Sequence, residues 1–336
     1  MSVEKQIVFT DAGKELEILL KNEDAVVITD VNVKKLYRDK LFGNARVITL
    51  AGGERCKNLR TIDKIYSELI RFGCDRKSVI VAVGGGVVCD TAGFAAATFK
   101  RGTGLVLVPT TLLAQADAAI GGKNGVNVMR FKNLAGTFRQ PDRIIIDTAF
   151  LRTLDEKNFN NGTAEIIKTA AIYDSAFFGR LENKILSEMP ENKLKAVIKK
   201  TVSIKNSIVK DDFEEKGLRK ILNFGHTIGH ALELNLRYLR HGEAVSVGMA
   251  AACAMSQRLT GLSEKDAQRL IDLLKLNRLP VRISKLVSTQ KLLGSIVQDK
   301  KKSGGSVDLI LLKNIGYPAI RKTALNDIEG FINDIR

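Results

Sequence analysis

The chain has 336 residues, of which 45% are hydrophobic, and 53 Lys and Arg against 37 Asp and Glu give it a formal net charge of +16. This length exceeds one ordinary hydrophobic core, so two domains of roughly 150 residues each are expected. The charged N-terminus lacks the apolar stretch of a signal peptide, and the longest apolar run, near 244–255, is shorter than the ~18 residues of a membrane span. We therefore expect a cytoplasmic protein with no membrane partner.

The positive charge is scattered along the chain, and Trp is absent. Nucleic-acid-binding proteins usually concentrate such charge in a stripe or tail beside aromatic side chains that stack on bases. We therefore expect no nucleic-acid partner, and a nucleic-acid-binding module is kept only as the non-enzyme alternative. The four cysteines form no C-x-x-C pair, which indicates reduced thiols rather than a zinc knuckle or a disulfide framework.

The first half of the chain alternates short β-branched runs with amphipathic stretches such as 58–73. Such runs are typical of strands buried on both faces, and their alternation with helices indicates a doubly wound parallel sheet. The predicted strands are 25–29, 46–50, 78–83, 104–109 and 143–147.

After Leu151 helical patterns dominate, and one late strand or hairpin is predicted near 303–312. The predicted fold class is thus a Rossmann-like α/β domain, residues 1–150, followed by a mainly α-helical domain, residues 151–336. We expect the active site in the cleft between these halves.

A run of three glycines, Gly84-Gly85-Gly86, follows the strand predicted at 78–83 and leads into a predicted helix. Glycines let the backbone approach a phosphate, and a helix N-terminus offers free N–H groups to an anion. The run is not the G-x-G-x-x-G fingerprint, so a tight strand-to-helix turn stays open beside a dinucleotide or phosphate site. Asp30 presents a similar choice, since its carboxylate suits either ribose hydroxyls or the N-cap of the next helix.

A second glycine-rich passage, residues 109–127, continues into RFKNLAGTFRQP. Its polar density exceeds what a turn needs, which favours a catalytic loop. We expect its polar residues in loops and helix starts: Thr110, Thr111, Asp117, Lys123, Asn127, Lys132 and Asn133.

All three histidines, His226, His230 and His241, fall in one short window. Imidazole is the commonest transition-metal ligand and also titrates near neutral pH. His226 and His230 stand at i, i+4, which suits chelation on one helix face, but Thr227 replaces the glutamate of the zincin motif. Metal binding, acid–base catalysis and a structural role stay open for this pair, and Glu243 or a more distant residue is the candidate third ligand.

Nine ordered segments between about Gly52 and Lys301 resemble the 3-dehydroquinate synthases of the sugar-phosphate cyclase family. These segments are GGERCKNL, GGGVVCDTAGF, ATFKRG, VPTTLLAQADAAIGGKNGVN, FKNLAGTFRQP, FLRTL, NGTAEIIK, GLRKILNFGHTIGHALE and LRHGEAV. The resemblance implies a redox-neutral cycle on 3-deoxy-D-arabino-heptulosonate 7-phosphate. In that cycle NAD takes and returns one hydride, phosphate is eliminated, and an aldol closure forms 3-dehydroquinate.

The resemblance also implies the cofactors and where they bind. Zinc, with cobalt as a substitute metal, is held by Glu165, His226 and His241, whereas His230 is not a ligand and lies near the leaving phosphate. Residues implied around NAD are Asp30, Asn32, Glu54, Lys57, Gly85, Gly86, Val87, Val88, Asp90, Thr110, Thr111, Lys123, Lys132, Phe150, Thr153 and Leu154.

The implied substrate is a small anion with a carboxylate at one end and a phosphate at the other. Lys205 and Arg219 are expected at the carboxylate end, and Lys168 and Asp117 are candidates for proton movement at the oxidised hydroxyl. Residues expected around the phosphate are Lys123, Asn133, Asn223, His230 and Lys300, with Arg101 reaching in from the neighbouring subunit of a homodimer.

Several positions depart from the family pattern without touching the implied metal or substrate residues. They are Cys89, Asn124, Phe131, Asn158 and the lead-in 161–163, and we expect them to affect NAD affinity or loop geometry.

Two other enzyme classes stay open. One is another sugar-phosphate cyclase, making 2-deoxy-scyllo-inosose, an amino-dehydroquinate or a sedoheptulose-derived cyclitol, and the other is a metal-dependent alcohol dehydrogenase. Recognition of a substrate carboxylate distinguishes the cyclases from one another, and Arg219 favours a carboxylated substrate.

Overall fold

The structure is a computed structural model that describes residues 6–21, 24–129, 131–236, 238–284, 287–299 and 306–334. The chain divides into two compact units, Met1–Leu154 and Asp155–Arg336. The site expected in a cleft between the halves stays a prediction. Within the described ranges, no helix combines the length and hydrophobicity that crossing a lipid bilayer requires.

The first unit alternates strands and helices along the chain. Its elements are β1 (Ile7–Phe9), α1 (Ala12–Leu19), β2 (Ala25–Asp30), α2 (Val31–Tyr37), β3 (Arg46–Leu50), α3 (Leu59–Arg71), β4 (Val79–Gly84), α4 (Gly86–Thr98), β5 (Gly104–Pro109), β6 (Lys123–Val128), β7 (Phe131–Phe138) and β8 (Arg143–Ile146). Six strands form one sheet in the order β1-β8-β5-β4-β2-β3, and each neighbouring pair is parallel. The predicted parallel α/β architecture is confirmed.

Local sequence explains these elements. Val26, Val27 and Ile28 of β2 are completely buried, as expected of a strand whose two faces are both covered. In α3 the buried residues Ile62, Ile65 and Leu69 recur at helical spacing and form one apolar face.

A hairpin, β6 with β7, stands apart from the six-stranded sheet and is antiparallel. Gly125 pairs with Gly136 in this hairpin. Backbone hydrogen bonds therefore hold together strands whose side chains do not alternate between apolar and polar as in an ordinary half-buried strand. The expectation of loops and helix starts is therefore wrong for Lys123, Asn127, Lys132 and Asn133.

The second unit is mainly helical, as predicted. Its elements are α5 (Glu156–Tyr173), α6 (Ser175–Leu181), α7 (Glu191–Asp211), α8 (His226–Asn235), α9 (His241–Leu259), α10 (Glu264–Leu276), α11 (Thr289–Asp299), β9 (Ser306–Asn314), β10 (Tyr317–Ala324) and α12 (Leu325–Asp334). The antiparallel pairing of β9 with β10 confirms the late hairpin.

Helices α8 and α9 approach each other backbone to backbone. A Cβ atom added at Gly248 of α9 would lie 1.9 Å from the carbonyl oxygen of Gly225, which itself adopts a left-handed φ of +79° just before α8. Only glycines allow this approach. It places the first residues of α8 and α9, His226 and His241, on neighbouring chain segments.

Candidate functional site

Three predicted metal ligands converge in the second unit. Glu165 lies in the middle of α5 and is completely buried, while His226 and His241 are the first residues of α8 and α9. The Oε1 atom of Glu165 lies 3.7 Å from Nε2 of His226 and 3.4 Å from Nε2 of His241. One candidate ligand atom from each residue falls within 4.8 Å of the others.

These separations fit a divalent transition-metal ion. Zinc bonds to imidazole nitrogen and carboxylate oxygen are about 2.0–2.2 Å long, so ligand atoms at the corners of a tetrahedron stand roughly 3.4 Å apart. Two imidazoles and one carboxylate also form a donor set that zinc and cobalt accept, with further positions open to substrate. The donor set therefore fits a catalytic metal.

The carboxylate of Glu165 is the strongest sign that this group binds a cation. Both of its oxygens are buried, and a charge inside a protein is costly unless it is paired with other charged groups. Burial alone would raise its pKa, but the Lys168 ammonium, in contact with Oε2, and the two histidines hold the pKa well below its ordinary value. Glu165 is thus an ionised carboxylate whose Oε1 faces the two histidines and whose Oε2 faces Lys168.

The two histidines are oriented by different partners. Nδ1 of His226 lies 3.2 Å from the carbonyl oxygen of Phe224, whereas Nδ1 of His241 lies 3.4 Å from Oε2 of Glu233. A neutral imidazole that donates from Nδ1 keeps its lone pair on Nε2, the atom that faces Glu165 in both cases. Glu233 was given no role in the sequence analysis, although it stands one helical turn after His230.

The pKa values of the two histidines move in opposite directions. Burial and the Lys168 ammonium lower the pKa of His226 well below its ordinary value, so its imidazole is neutral. Burial would also lower the pKa of His241, but hydrogen bonds to Glu165 and Glu233 outweigh it and raise the pKa to about 10. A metal ion at this site must therefore displace a proton from His241.

His230 and Glu243 occupy different places from the three predicted ligands. The His230 ring lies 5.2 Å from the His226 ring and belongs to a second group, with Glu233 and His241, whose candidate ligand atoms also fall within 4.8 Å. Glu243 accepts a hydrogen bond from the Arg240 backbone N–H at 2.8 Å and caps α9. Glu165, rather than Glu243, therefore completes the group with His226 and His241.

Three further residues predicted to face the substrate, Lys205, Arg219 and Asn223, lie in the same unit. Lys205 of α7 and Arg219 are both buried, and an Arg219 guanidinium nitrogen donates to the carbonyl of Phe213 at 2.6 Å. The Asn223 amide donates to Glu215 at 2.7 Å, and Glu215 adopts a left-handed φ of +61° that is rare for a residue other than glycine. Glu215 was not singled out by the sequence analysis. Lys300 lies outside the described residues.

In the first unit, the glycine run makes the predicted strand-to-helix turn between β4 and α4. The first helical bond of α4 runs from Cys89 N–H to the Gly85 carbonyl, so the amides of Gly86, Val87 and Val88 precede it. A Cβ added at Gly85 would come within 3.1 Å of Thr111. This bare turn at a helix N-terminus fits a pyrophosphate.

The carboxylate of Asp30 caps α2. Its Oδ1 accepts from the backbone amides of Asn32 at 2.8 Å and Val33 at 3.0 Å, which confirms the N-cap interpretation. A contact between Asp30 and ribose stays a prediction.

Several residues predicted near NAD contact one another around Lys57. This buried ammonium lies 2.5 Å from Oδ2 of Asp90 and 2.5 Å from Oδ1 of Asn133. Nearby, Glu54 accepts from the Asn127 side chain at 2.8 Å. The β6–β7 hairpin is thereby attached to the loop before α3, and Asn133, expected at the substrate phosphate, contacts Lys57.

The remaining predicted residues are spread over the first unit. Tyr37 links two of them, since its ring packs edge-on against Phe150 and its hydroxyl lies 2.6 Å from that of Thr153. Arg101, like Lys100 before it, has a left-handed backbone. Thr110 and Thr111 follow β5, Asp117 lies in the short helical segment Ala114–Ala118, Lys123 begins β6, Lys132 lies in β7, and Leu154 ends the unit.

Comparisons with known proteins identify relatives over nearly the whole chain. The family described as 3-dehydroquinate synthase N-terminal matches residues 47–161, and the 3-dehydroquinate synthase C-terminal family matches residues 162–302. A 3-dehydroquinate synthase of Clostridium acetobutylicum is 41% identical over 330 residues, covering 95% of this chain and 92% of that protein.

Two solved structures have the same fold at 28% sequence identity, each covering 98% of this chain and 96% of the other. One is a 2-epi-5-epi-valiolone synthase from Streptomyces hygroscopicus with NAD+ and Zn2+ bound, with a TM-score of 0.89. The other is a 2-deoxy-scyllo-inosose synthase complexed with carbaglucose-6-phosphate, NAD+ and Co2+, with a TM-score of 0.85.

Proposed function

The chain belongs to the 3-dehydroquinate synthase family, and on that premise we propose that it converts 3-deoxy-D-arabino-heptulosonate 7-phosphate to 3-dehydroquinate and phosphate, using NAD and a divalent metal. The observation that carries this proposal is the group formed by the buried carboxylate of Glu165 with His226 and His241. Its donor atoms and spacing suit zinc or cobalt, the metals bound by the two similar cyclases.

Two cofactors supply chemistry that protein side chains lack. Bound NAD accepts and returns a hydride at one carbon, and the bound metal polarises the hydroxyl on that carbon. For NAD, the amides of Gly86, Val87 and Val88 at the start of α4 are suited to the pyrophosphate. The contacts of Lys57 with Asp90 and Asn133 hold the loop before α3 and the β6–β7 hairpin in place.

Lys168 is our candidate for moving the proton of the oxidised hydroxyl. It is buried, and it contacts Oε2 of Glu165, the carboxylate that would hold the metal together with the two histidines. A substrate bound beside Glu165 would place its hydroxyl near Lys168, which could relay that proton directly or through one water molecule. Asp117 is the second candidate for this proton.

Arg219 and Lys205 are proposed to bind the substrate carboxylate. A guanidinium presents a planar pair of N–H donors that matches a carboxylate, and its burial strengthens the attraction. His230, which is not in the group with Glu165, is assigned to the substrate phosphate together with Asn223. That phosphate can itself accept the proton that its elimination removes.

Phosphate release tests this function. The purified protein is incubated with the heptulosonate phosphate, with or without added NAD and with or without a zinc chelator. We expect many turnovers per NAD, no net NADH, and loss of release when either cofactor is removed. Stoichiometric NADH accumulation would instead identify a dehydrogenase.

A second substrate separates the cyclases from one another. Glucose 6-phosphate has no carboxylate, so it should not be turned over. The similar 2-deoxy-scyllo-inosose synthase binds the related carbaglucose-6-phosphate, so turnover of glucose 6-phosphate would indicate a cyclase of that kind. Arg219→Leu should raise the KM for the heptulosonate phosphate by about 100-fold, the effect of losing one charged carboxylate contact of roughly 2–3 kcal/mol. A homodimer and a cytoplasmic location stay predictions.

A further inference from the structure

We infer that Glu233 is a positioning residue for the metal, because it orients the ligand His241 and sets its tautomer. This inference rests on the proposed function, since it takes His241 to be a metal ligand. Glu233 is on α8, and only 5% of its side chain is exposed. Its carboxylate is therefore held among other protein groups and is not a solvated surface charge.

The geometry divides the two nitrogens of His241 between two carboxylates. Nδ1 lies 3.4 Å from Oε2 of Glu233, and Nε2 lies 3.4 Å from Oε1 of Glu165. A neutral imidazole has one N–H and one lone pair, so donation from Nδ1 to Glu233 leaves the lone pair on Nε2. Nε2 of His241 and Oε1 of Glu165 would then both be available to hold a metal ion without a rotation of the ring.

The corresponding partner of His226 is a neutral carbonyl, that of Phe224. A carboxylate acceptor makes the donating imidazole more electron-rich and a stronger ligand than a carbonyl acceptor does. The two histidines are therefore unequal ligands, and Glu233 accounts for the difference.

Glu233 also lowers the net charge around the ion. A divalent cation beside Glu165 and the Lys168 ammonium leaves two uncompensated positive charges in a buried place, and the Glu233 carboxylate removes one of them. Buried charge is costly unless it is paired, so this second carboxylate favours metal retention. Since α8 supplies both His226 and Glu233, one helix provides a ligand and the orienting group of another ligand.

The test measures zinc affinity by chelator competition, with neither NAD nor substrate present. Glu233→Ala should weaken zinc binding about 10–100-fold, the usual effect of removing such an orienting partner. Glu233→Gln keeps an oxygen that can accept from Nδ1–H, so it should recover part of this loss. The control is Glu182→Ala, which removes a carboxylate that pairs with Arg269 in the same unit and touches none of the ligands.

Two further measurements distinguish positioning from a general structural effect. The thermal midpoints of the metal-free Glu233→Ala and Glu182→Ala proteins report on the fold, and the visible spectrum of the cobalt-loaded protein reports on the ligands. We expect the spectrum to change in Glu233→Ala and to remain that of the parent in Glu182→Ala.

Parental zinc affinity and an unchanged cobalt spectrum in Glu233→Ala would overturn the inference. Equal losses of zinc affinity in Glu233→Ala and Glu182→Ala would also overturn it, as would a second bound zinc that disappears in Glu233→Ala, because Glu233 would then be a ligand. Glu165→Ala keeps the two questions separate. If that variant binds zinc like the parent, the proposed metal centre is wrong, whereas zinc loss there combined with retention in Glu233→Ala refutes only the inference.

Discussion

Gly242, the residue after His241, is where a single methyl group should disrupt the proposed metal centre. A Cβ added there would lie 2.2 Å from the carbonyl oxygen of Asn161 and 2.7 Å from its Cα, both backbone atoms of α5. The Gly242 amide also donates to the Asn161 side chain, so the start of α9 is held directly against α5. Backbone atoms within a helix cannot rotate away, and Gly242→Ala must therefore move α9 relative to α5.

The size of this movement follows from the contact distances. The methyl group and the Asn161 oxygen must separate by about 1.2 Å to reach the 3.4 Å of ordinary contact. Asn161 stands one turn before Glu165 on α5, so the same movement separates Oε1 of Glu165 from Nε2 of His241, now 3.4 Å apart. Two ligands with bonds of about 2.1 Å cannot both reach one ion when they are more than roughly 4.2 Å apart.

We expect Gly242→Ala to lower zinc affinity at least about tenfold and to cost roughly 1–3 kcal/mol of unfolding free energy. Zinc competition and urea unfolding of the metal-free protein measure the two effects separately. The matched control is Gly294→Ala in α11, where an added Cβ has no neighbour within 4 Å. That variant should gain about 0.5–1 kcal/mol from helix propensity and retain parental zinc affinity. A Gly242→Ala protein with parental zinc affinity and stability would refute the close contact between α5 and α9.

Three other predictions address the ligands and one ion pair. Glu165→Ala should reduce zinc affinity by a factor on the order of 100 or more and remove phosphate release with it, and a variant with full metal content would contradict its role as a ligand. His230→Ala should keep its zinc in the same chelator competition while its phosphate release slows, so zinc loss there would restore the chelating pair of His226 and His230. The bidentate hydrogen bonds from Arg269, opposed by burial, lower the pKa of Glu182, so the pair stabilises the fold above the pKa of unfolded glutamate and loses that effect as the pH falls through the lowered value. Glu182→Gln should therefore cost about 1 kcal/mol in urea unfolding at pH 7 and progressively less in acid, and a cost independent of pH would exclude this linkage.

Local sequence predicts the buried elements of this chain closely. The run 46–50 coincides with β3, and 58–73 contains α3, because apolar spacing is set by which face of an element is buried. The β6–β7 hairpin was not predicted from the sequence, because its strands are rich in lysine, asparagine and glycine, which are uncommon in strands. The two strands pair through their backbones. Its position depends on contacts with Lys57 and Glu54, far away in the sequence.

Only part of the candidate site could be predicted from the local sequence. Clustered histidines marked the region from local sequence, but the third proposed ligand was inferred from the family resemblance, because Glu165 reaches the histidines only when α5 packs against α9. Residue spacing on its own left Glu243 open, and the structure uses that carboxylate as a helix cap. Glu233 was missed because its value as a partner of His241 depends on the packing of α8 against α9.

The unusual lead-in to the Glu165 segment acquires a physical role in this structure. Asn158 hydrogen-bonds with Asp155, the N-cap of α5, at 2.9 and 2.6 Å, and thus reinforces the start of the helix. Asn161 accepts from the Gly242 amide and so holds the start of α9 beside the helix that bears Glu165. Both departures from the family pattern therefore lie outside the set of metal donors while stabilising the helices that present it. Because metal–ligand bonds in proteins keep to within about 0.2 Å of their ideal lengths, residues that set the distance between α5 and α9 should influence binding at the proposed metal site, as the orientation of each proposed ligand does.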